Sequence, residues 1–127
     1  MKLHEDRSAA LNTVTGYGAG FIEINGVRHQ GHLIVTPESP VEAWSTDSFE
    51  ALTADDFDGL RRFEPEVVLL GTGTRQRFAH PRLLRPLTQA HIGVECMDSA
   101  AACRTYNILM NEGRRVLAAF LQEDVPA

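Results

Sequence analysis

The stretch Val67-Val68-Leu69-Leu70-Gly71-Thr72-Gly73-Thr74-Arg75-Gln76-Arg77-Phe78 constrains this chain more than any other part of it. Its first four residues are apolar and β-prone with no polar face, so they predict a central strand covered by layers on both sides. Two glycines separated by one threonine then end the strand, and they allow φ > 0 geometry where it emerges. At 127 residues the chain reads as one domain, long enough to bury roughly two-thirds of its unfolded surface in a single core.

The segments around this strand alternate in character. Phe21 to Ile24, Asn25-Gly26 and Val27 to His29 predict a hairpin, because Asn-Gly supplies the positive φ angles of a type I′ turn. Gly31 interrupts the second arm before His32-Leu33-Ile34-Val35, and Val41 to Trp44 reads as a further short strand. Thr53 three residues before Asp56 predicts a capped helix from Asp55 to Phe63, ended by Pro65. Pro81 suits the first turn of a helix bearing Leu83, Leu84 and Leu87, which Pro86 should kink or shorten. His91 to Cys96 predicts a strand, Asp98 or Ser99 caps the longest helix, and Gly113 stops it. Alternation of Val116, Ala118 and Phe120 with Arg115, Leu117 and Ala119 favours a last strand over a helix. Strand, helix, strand, helix, strand implies a right-handed crossover, with the first two strands ending on one sheet edge.

Composition removes several classes of function. A formal charge of −5 argues against generic nucleic-acid binding, which needs a clustered excess of Lys and Arg. Arg75, Arg77, Arg82 and Arg85 nevertheless fall within eleven positions, which leaves room for a local anion site. Cys96 and Cys103 are too few and too far apart for a disulfide scaffold or a CxxC motif, and reduced thiols are expected. No run approaches the roughly 20 apolar residues of a membrane span, and the acidic Glu5 and Asp6 are unlike a targeting presequence. A cytoplasmic protein without direct membrane insertion is the expectation.

The segments Val68-Leu69-Leu70-Gly71-Thr72-Gly73 with Arg77-Phe78, Gly93-Val94-Glu95-Cys96-Met97-Asp98, Ala101 to Leu109 and Glu112-Gly113-Arg114-Arg115-Val116 together resemble the Mth938-like domain family. The resemblance spans residues 16–121, leaving tails at 1–15 and 122–127. It implies a single compact α/β domain whose mixed central sheet contains a βαβ crossover. It further implies a last strand antiparallel to its central partners and an N-terminal β portion. Ser99, where threonine is common in the family, and Pro86 depart from the pattern. Because the family includes a mitochondrial assembly factor for respiratory complex I, the resemblance also implies a non-catalytic assembly or adaptor role with a protein partner.

Two candidate sites follow. Exposed N–H groups at Gly71, Thr72 and Gly73, the Thr72 and Thr74 hydroxyls, and Arg75 and Arg77 could cradle a phosphate or carboxylate, with Asn107 or Thr105 bonding to loop carbonyls and either fixing the loop or completing a pocket. The same residues also suit a plain strand-to-loop turn, since GxG alone is neither a dinucleotide fingerprint nor a P-loop. Arg104, Asn107 and Asn111 lie together on the polar face of the long helix and form a candidate partner surface. Chemistry is weakly signalled. His29 and His32 stand three apart on a strand with no Cys or acid cluster to complete a metal site. Nothing in the spacing brings His80 or His91 to Cys103, and Asp55, Asp56 and Asp58 read as a helix start rather than catalytic carboxylates. No metal, cofactor or catalytic residue is therefore expected.

Overall fold

The computed structural model describes residues 11–122, so the expected tails lie largely outside the described residues. A three-stranded antiparallel sheet comes first, formed by β1 (Val14–Gly18), β2 (Phe21–Ile24) and β3 (Val27–Gln30) in that order. The first strand thus begins two residues before the expected domain boundary. Asn25 at φ 50° and Gly26 at φ 84° make the tight turn between β2 and β3, as their residue types demand. Gly31, at φ 83°, then breaks the chain away into a second sheet.

That sheet has five strands in the order β5-β4-β8-β6-β7, from β4 (Leu33–Val35), β5 (Glu42–Ala43), β6 (Val67–Gly71), β7 (Gly93–Met97) and β8 (Val116–Phe120). Three α-helices are described: α1 (Ala54–Asp58), α2 (Pro81–Thr88) and α3 (Ser99–Asn111). The expected capping box at α1 is present in both directions, Thr53 with the Asp56 N–H and Asp56 with the Thr53 N–H. The expected helix to Phe63 is instead split, α1 tightening into a 3₁₀ turn over Gly59–Phe63 before Glu64 turns left-handed at φ 53°. Helix α2 continues through Pro86, because the bond that proline cannot donate would have gone to exposed Arg82.

The topology corrects one expectation. Strand β8 runs antiparallel to β4 but parallel to β6, rather than antiparallel to both central neighbours. Helix α3 causes this, since its thirteen residues carry the chain back along the sheet and the next strand must restart in the direction of β7. Gly71, Met97 and Phe120 consequently lie in register on one edge, where all three parallel strands end.

Both faces of the five-stranded sheet are covered. On one side Val116, Ala118 and Phe120 meet Ala102, Cys103, Tyr106 and Met110 of α3 and Val14, Ile22 and Ile24 of the small sheet. On the other, Leu117, Ala119 and Leu121 meet Trp44, Phe57, Leu60 and Leu87, with Trp44 and Phe57 edge-on at 5.8 Å. Alternation in β8 therefore separates two cores, not core from solvent.

Side chains of α3 dock the small sheet. The Val14 N–H donates to Asn107 Oδ1 at 2.9 Å and Asn107 Nδ2 donates to the Val14 carbonyl at 2.8 Å. One residue earlier on the same helix, the Tyr106 hydroxyl donates to the Asn12 carbonyl at 2.8 Å. Asn107 thus serves as a strand partner, closing the unpaired edge of β1. Asn107→Leu, which keeps the volume and removes both bonds, should lower stability to urea by about 1–3 kcal/mol and speed amide exchange at Val14. An unchanged Val14 exchange rate would show that the small sheet is held by packing alone.

Candidate functional site

Ligand sites in α/β sheets favour the carboxyl ends of parallel strands, and this chain's glycine loop stands there. Gly71 is set by space and not by backbone freedom. A Cβ added to it would lie 2.8 Å from Phe120 Cδ1 and 3.2 Å from Ser99 Oγ, so it is the close approach of β6, β8 and α3 that demands glycine. Only Gly73, at φ 89°, uses the left-handed region. The expectation that both glycines supply positive φ is corrected accordingly.

Thr72 organises the turn. It is fully buried, its N–H donates to the Met97 carbonyl at 2.9 Å, and its hydroxyl donates to the Arg75 carbonyl at 2.7 Å. The same oxygen accepts the Arg77 N–H at 3.1 Å. Gly73 and Ser99 exchange two bonds, the Gly73 N–H to Ser99 Oγ at 2.9 Å and the Ser99 N–H to the Gly73 carbonyl at 2.8 Å. Ser99 thus holds the loop, while Asp98 caps α3 by accepting the Ala101 N–H at 2.8 Å.

The side chains beyond the glycines are drawn in as well. Arg77 Nη2 donates to the Thr72 carbonyl at 3.0 Å, Nη1 pairs with Glu50 at 3.4 Å, and the guanidinium lies 4.4 Å from the Phe49 ring centre. Gln76 Nε2 donates to the Cys96 carbonyl at 2.9 Å, laying an amide across the outer edge of β7. The structure therefore brings Gly71, Thr72, Gly73, Thr74, Arg75 and Arg77 together at one edge, but the Thr72, Gly73 and Arg77 N–H groups all face protein oxygens. Asn107 does not join them, because Val14 occupies it. The turn exposes Thr74, Arg75 and Gln76 and, just beyond it, Phe78 with 74% of its surface exposed.

The second candidate surface also changes membership. Arg104 is exposed and donates to the Tyr17 hydroxyl at 3.3 Å, and Asn111 is exposed, whereas Asn107 is inward. Ile108, 57% exposed, fills the stripe four residues after Arg104. Sequence reasoning missed Ile108 and Phe78 as surface residues. Each carried a signal: Ile108 interrupts an otherwise polar helical stripe, and Phe78 ends a run of polar residues immediately before a helix start.

The remaining chemistry-bearing groups are committed elsewhere. Cys103 is buried on the α3 side of the sheet, whereas His80, which caps α2 by accepting the Arg82 N–H at 3.0 Å, belongs to the opposite layer. Burial pushes the Cys103 thiol up to about 12, partly offset by Arg104. His32 accepts the Gln122 N–H at Nδ1 and donates from Nε2 to the Asp47 carbonyl at 3.0 Å, so both ring nitrogens are used. Among the described residues no three His, Cys, Asp or Glu side chains are grouped to hold a metal, and no helix is long and apolar enough to cross a membrane.

A two-sheet α/β domain with a self-filled turn at the end of its central strand is the class that this geometry defines. The chain belongs to the family described as a protein of unknown function (DUF498/DUF598), which matches residues 14–121. A Bordetella parapertussis protein of known crystal structure is 48% identical with a TM-score of 0.85, over 90% of this chain and 98% of that one. A Bordetella pertussis protein described as a Mth938-like domain is 42% identical with a TM-score of 0.76, over 89% and 87% of the two chains. Among curated relatives, the Bos taurus protein named NADH dehydrogenase (ubiquinone) 1 alpha subcomplex assembly factor 3 is 38% identical over 104 residues, 80% of this chain and 55% of the bovine one. This chain thus spans just over half the length of that relative.

The buried thiol gives the α3 layer a pH signature. Folding favours the neutral thiol, so the unfolded chain loses that proton first, and stability present below pH 9 is lost as pH rises toward about 12. Urea midpoints should fall over this range, and less steeply in Cys103→Ala than in the wild type. Equal slopes would show that Cys103 is not desolvated.

Proposed function

We propose that this chain is a non-catalytic assembly or adaptor factor of the cytoplasm, acting by protein–protein recognition in the assembly of a membrane or respiratory complex. The observation that carries the reading is Phe78, exposed just past a turn that also exposes Arg75 and whose Thr72, Gly73 and Arg77 N–H groups are internally paired. Aromatic and arginine side chains dominate the energetics of protein interfaces, and a pre-formed turn presents them with little ordering cost. The name of the bovine relative, an assembly factor, supports the same reading. Arg104, Ile108 and Asn111 on α3 supply a second contact surface. In a small-anion role for Gly71 to Arg77, the Gly73 and Arg77 N–H groups would serve a ligand only after their bonds to the Ser99 and Thr72 hydroxyl oxygens open.

The test is affinity capture after cross-linking in cells, from lysate that includes detergent-solubilised membranes, with wild type, Phe78→Tyr and Phe78→Asp compared quantitatively. A defined set of proteins should be recovered by the first two and fall by about tenfold or more with Phe78→Asp, the loss expected for a central aromatic contact. Equal recovery by Phe78→Asp would overturn the reading. Thermal stabilisation by phosphorylated metabolites that Arg77→Ala abolishes would replace it with the anion role.

A further inference from the structure

Helix α1 with its 3₁₀ turn packs beside α2 on the face of the sheet opposite α3, and between them runs an open groove of about 560 Å³. Ala54, Asp58 and Arg61 form one wall, and Arg82, Arg85 and Pro86 form the other. Asp58 is the acid in this lining, and Arg61 neutralises it at 3.1 Å. Arg82 and Arg85 are exposed and, among the described residues, their guanidinium groups meet no carboxylate, carbonyl or aromatic ring.

That condition is unusual in this molecule. Seven of its arginines are engaged: Arg28 stacks on Phe21, Arg61 pairs with Asp58, Arg62 with Glu42, Arg77 with Glu50 and Arg114 with Glu66. Arg104 bonds Tyr17, and Arg115 donates to the Glu64 carbonyl. Besides Arg75 on the glycine loop, only Arg82 and Arg85 among the described arginines are left, and they share one groove. On a chain carrying 17 acids against 12 lysines and arginines, acids were available to neutralise them. A local positive potential on a negative protein selects an oppositely charged partner and steers it to that spot.

We propose that the α1/α2 groove docks an extended acidic segment of a partner protein, with Arg82 and Arg85 as its carboxylate receptors. Spacing and shape choose the occupant. Arg82 and Arg85 are helical neighbours, about 5–6 Å apart at Cβ, and alternate side chains of an extended peptide repeat at about 6.6 Å on one face. Acids at two alternate positions therefore meet the two forks, each of which binds a carboxylate bidentately. Ala54 and Ala90 in the lining add little side-chain bulk to obstruct a peptide backbone. Its openness leaves a free phosphate unenclosed and water-screened, which disfavours a small anion.

The probe is a fluorescein-labelled octaglutamate peptide titrated at low salt and followed by anisotropy and by amide chemical shifts, with an octaserine peptide as the neutral control. Octaglutamate should bind, weaken as salt rises, and shift amides of α1 and α2 and not those of the β2–β3 hairpin. Arg82→Glu with Arg85→Glu should weaken it by about tenfold or more, while Arg28→Glu, a charge reversal on the hairpin, changes it little. Both variants should keep the wild-type amide spectrum away from the substitution, which separates lost docking from lost folding. The proposal falls if octaglutamate binds no better than octaserine, if Arg28→Glu weakens it equally, if the shifts map elsewhere, or if equimolar inorganic phosphate displaces it.

Discussion

The Thr72 hydroxyl is the group on which the carboxyl-end edge of this sheet depends. Strand β6 is buried on both faces, so where it leaves the sheet its backbone polar groups must find protein partners or lose the hydrogen bonds they had with water. One oxygen resolves this by donating to the Arg75 carbonyl and accepting the Arg77 N–H, which curls six residues around a buried point. Ser99 then ties the loop to the start of α3. The glycine at 71 and the left-handed Gly73 make that closeness possible, one through volume and one through φ.

A turn completed in this way has consequences for function. Its Thr72, Gly73 and Arg77 N–H donors are spent internally, and Arg75 and Phe78 are among the side chains it leaves exposed. The sheet separates this surface's supporting layers: Cys103 and Tyr106 belong to α3 on one face, His80 and Pro86 to the α2 side on the other. Groups that looked combinable in sequence are thereby held apart by five strands.

Local devices were legible in the sequence because their physics is local. Asn25-Gly26 specifies its turn, Thr53 with Asp56 its cap, and the uninterrupted Val67 to Leu70 its burial. Relations between distant elements were not. Whether β8 runs with or against β6 depends on where α3 returns the chain, and the residues of β8 are equally apolar in both cases. Asn107 sits on the same helical stripe as Arg104 and Asn111, and only the tertiary approach of β1 turns it from surface contact to strand partner. The two-sided burial of β8 likewise reads as simple alternation until both layers are in place.

Site-resolved amide exchange of the native protein tests the central claim most directly, that the glycine loop is a filled turn and not an open cradle. The Thr72, Gly73 and Arg77 amides should exchange as slowly as those of β6 and β8, in the wild type with and without phosphate, and Thr72→Val should release Arg77 selectively. Exchange of these three amides at the rate of an open loop, slowed only when phosphate is added, would contradict the account.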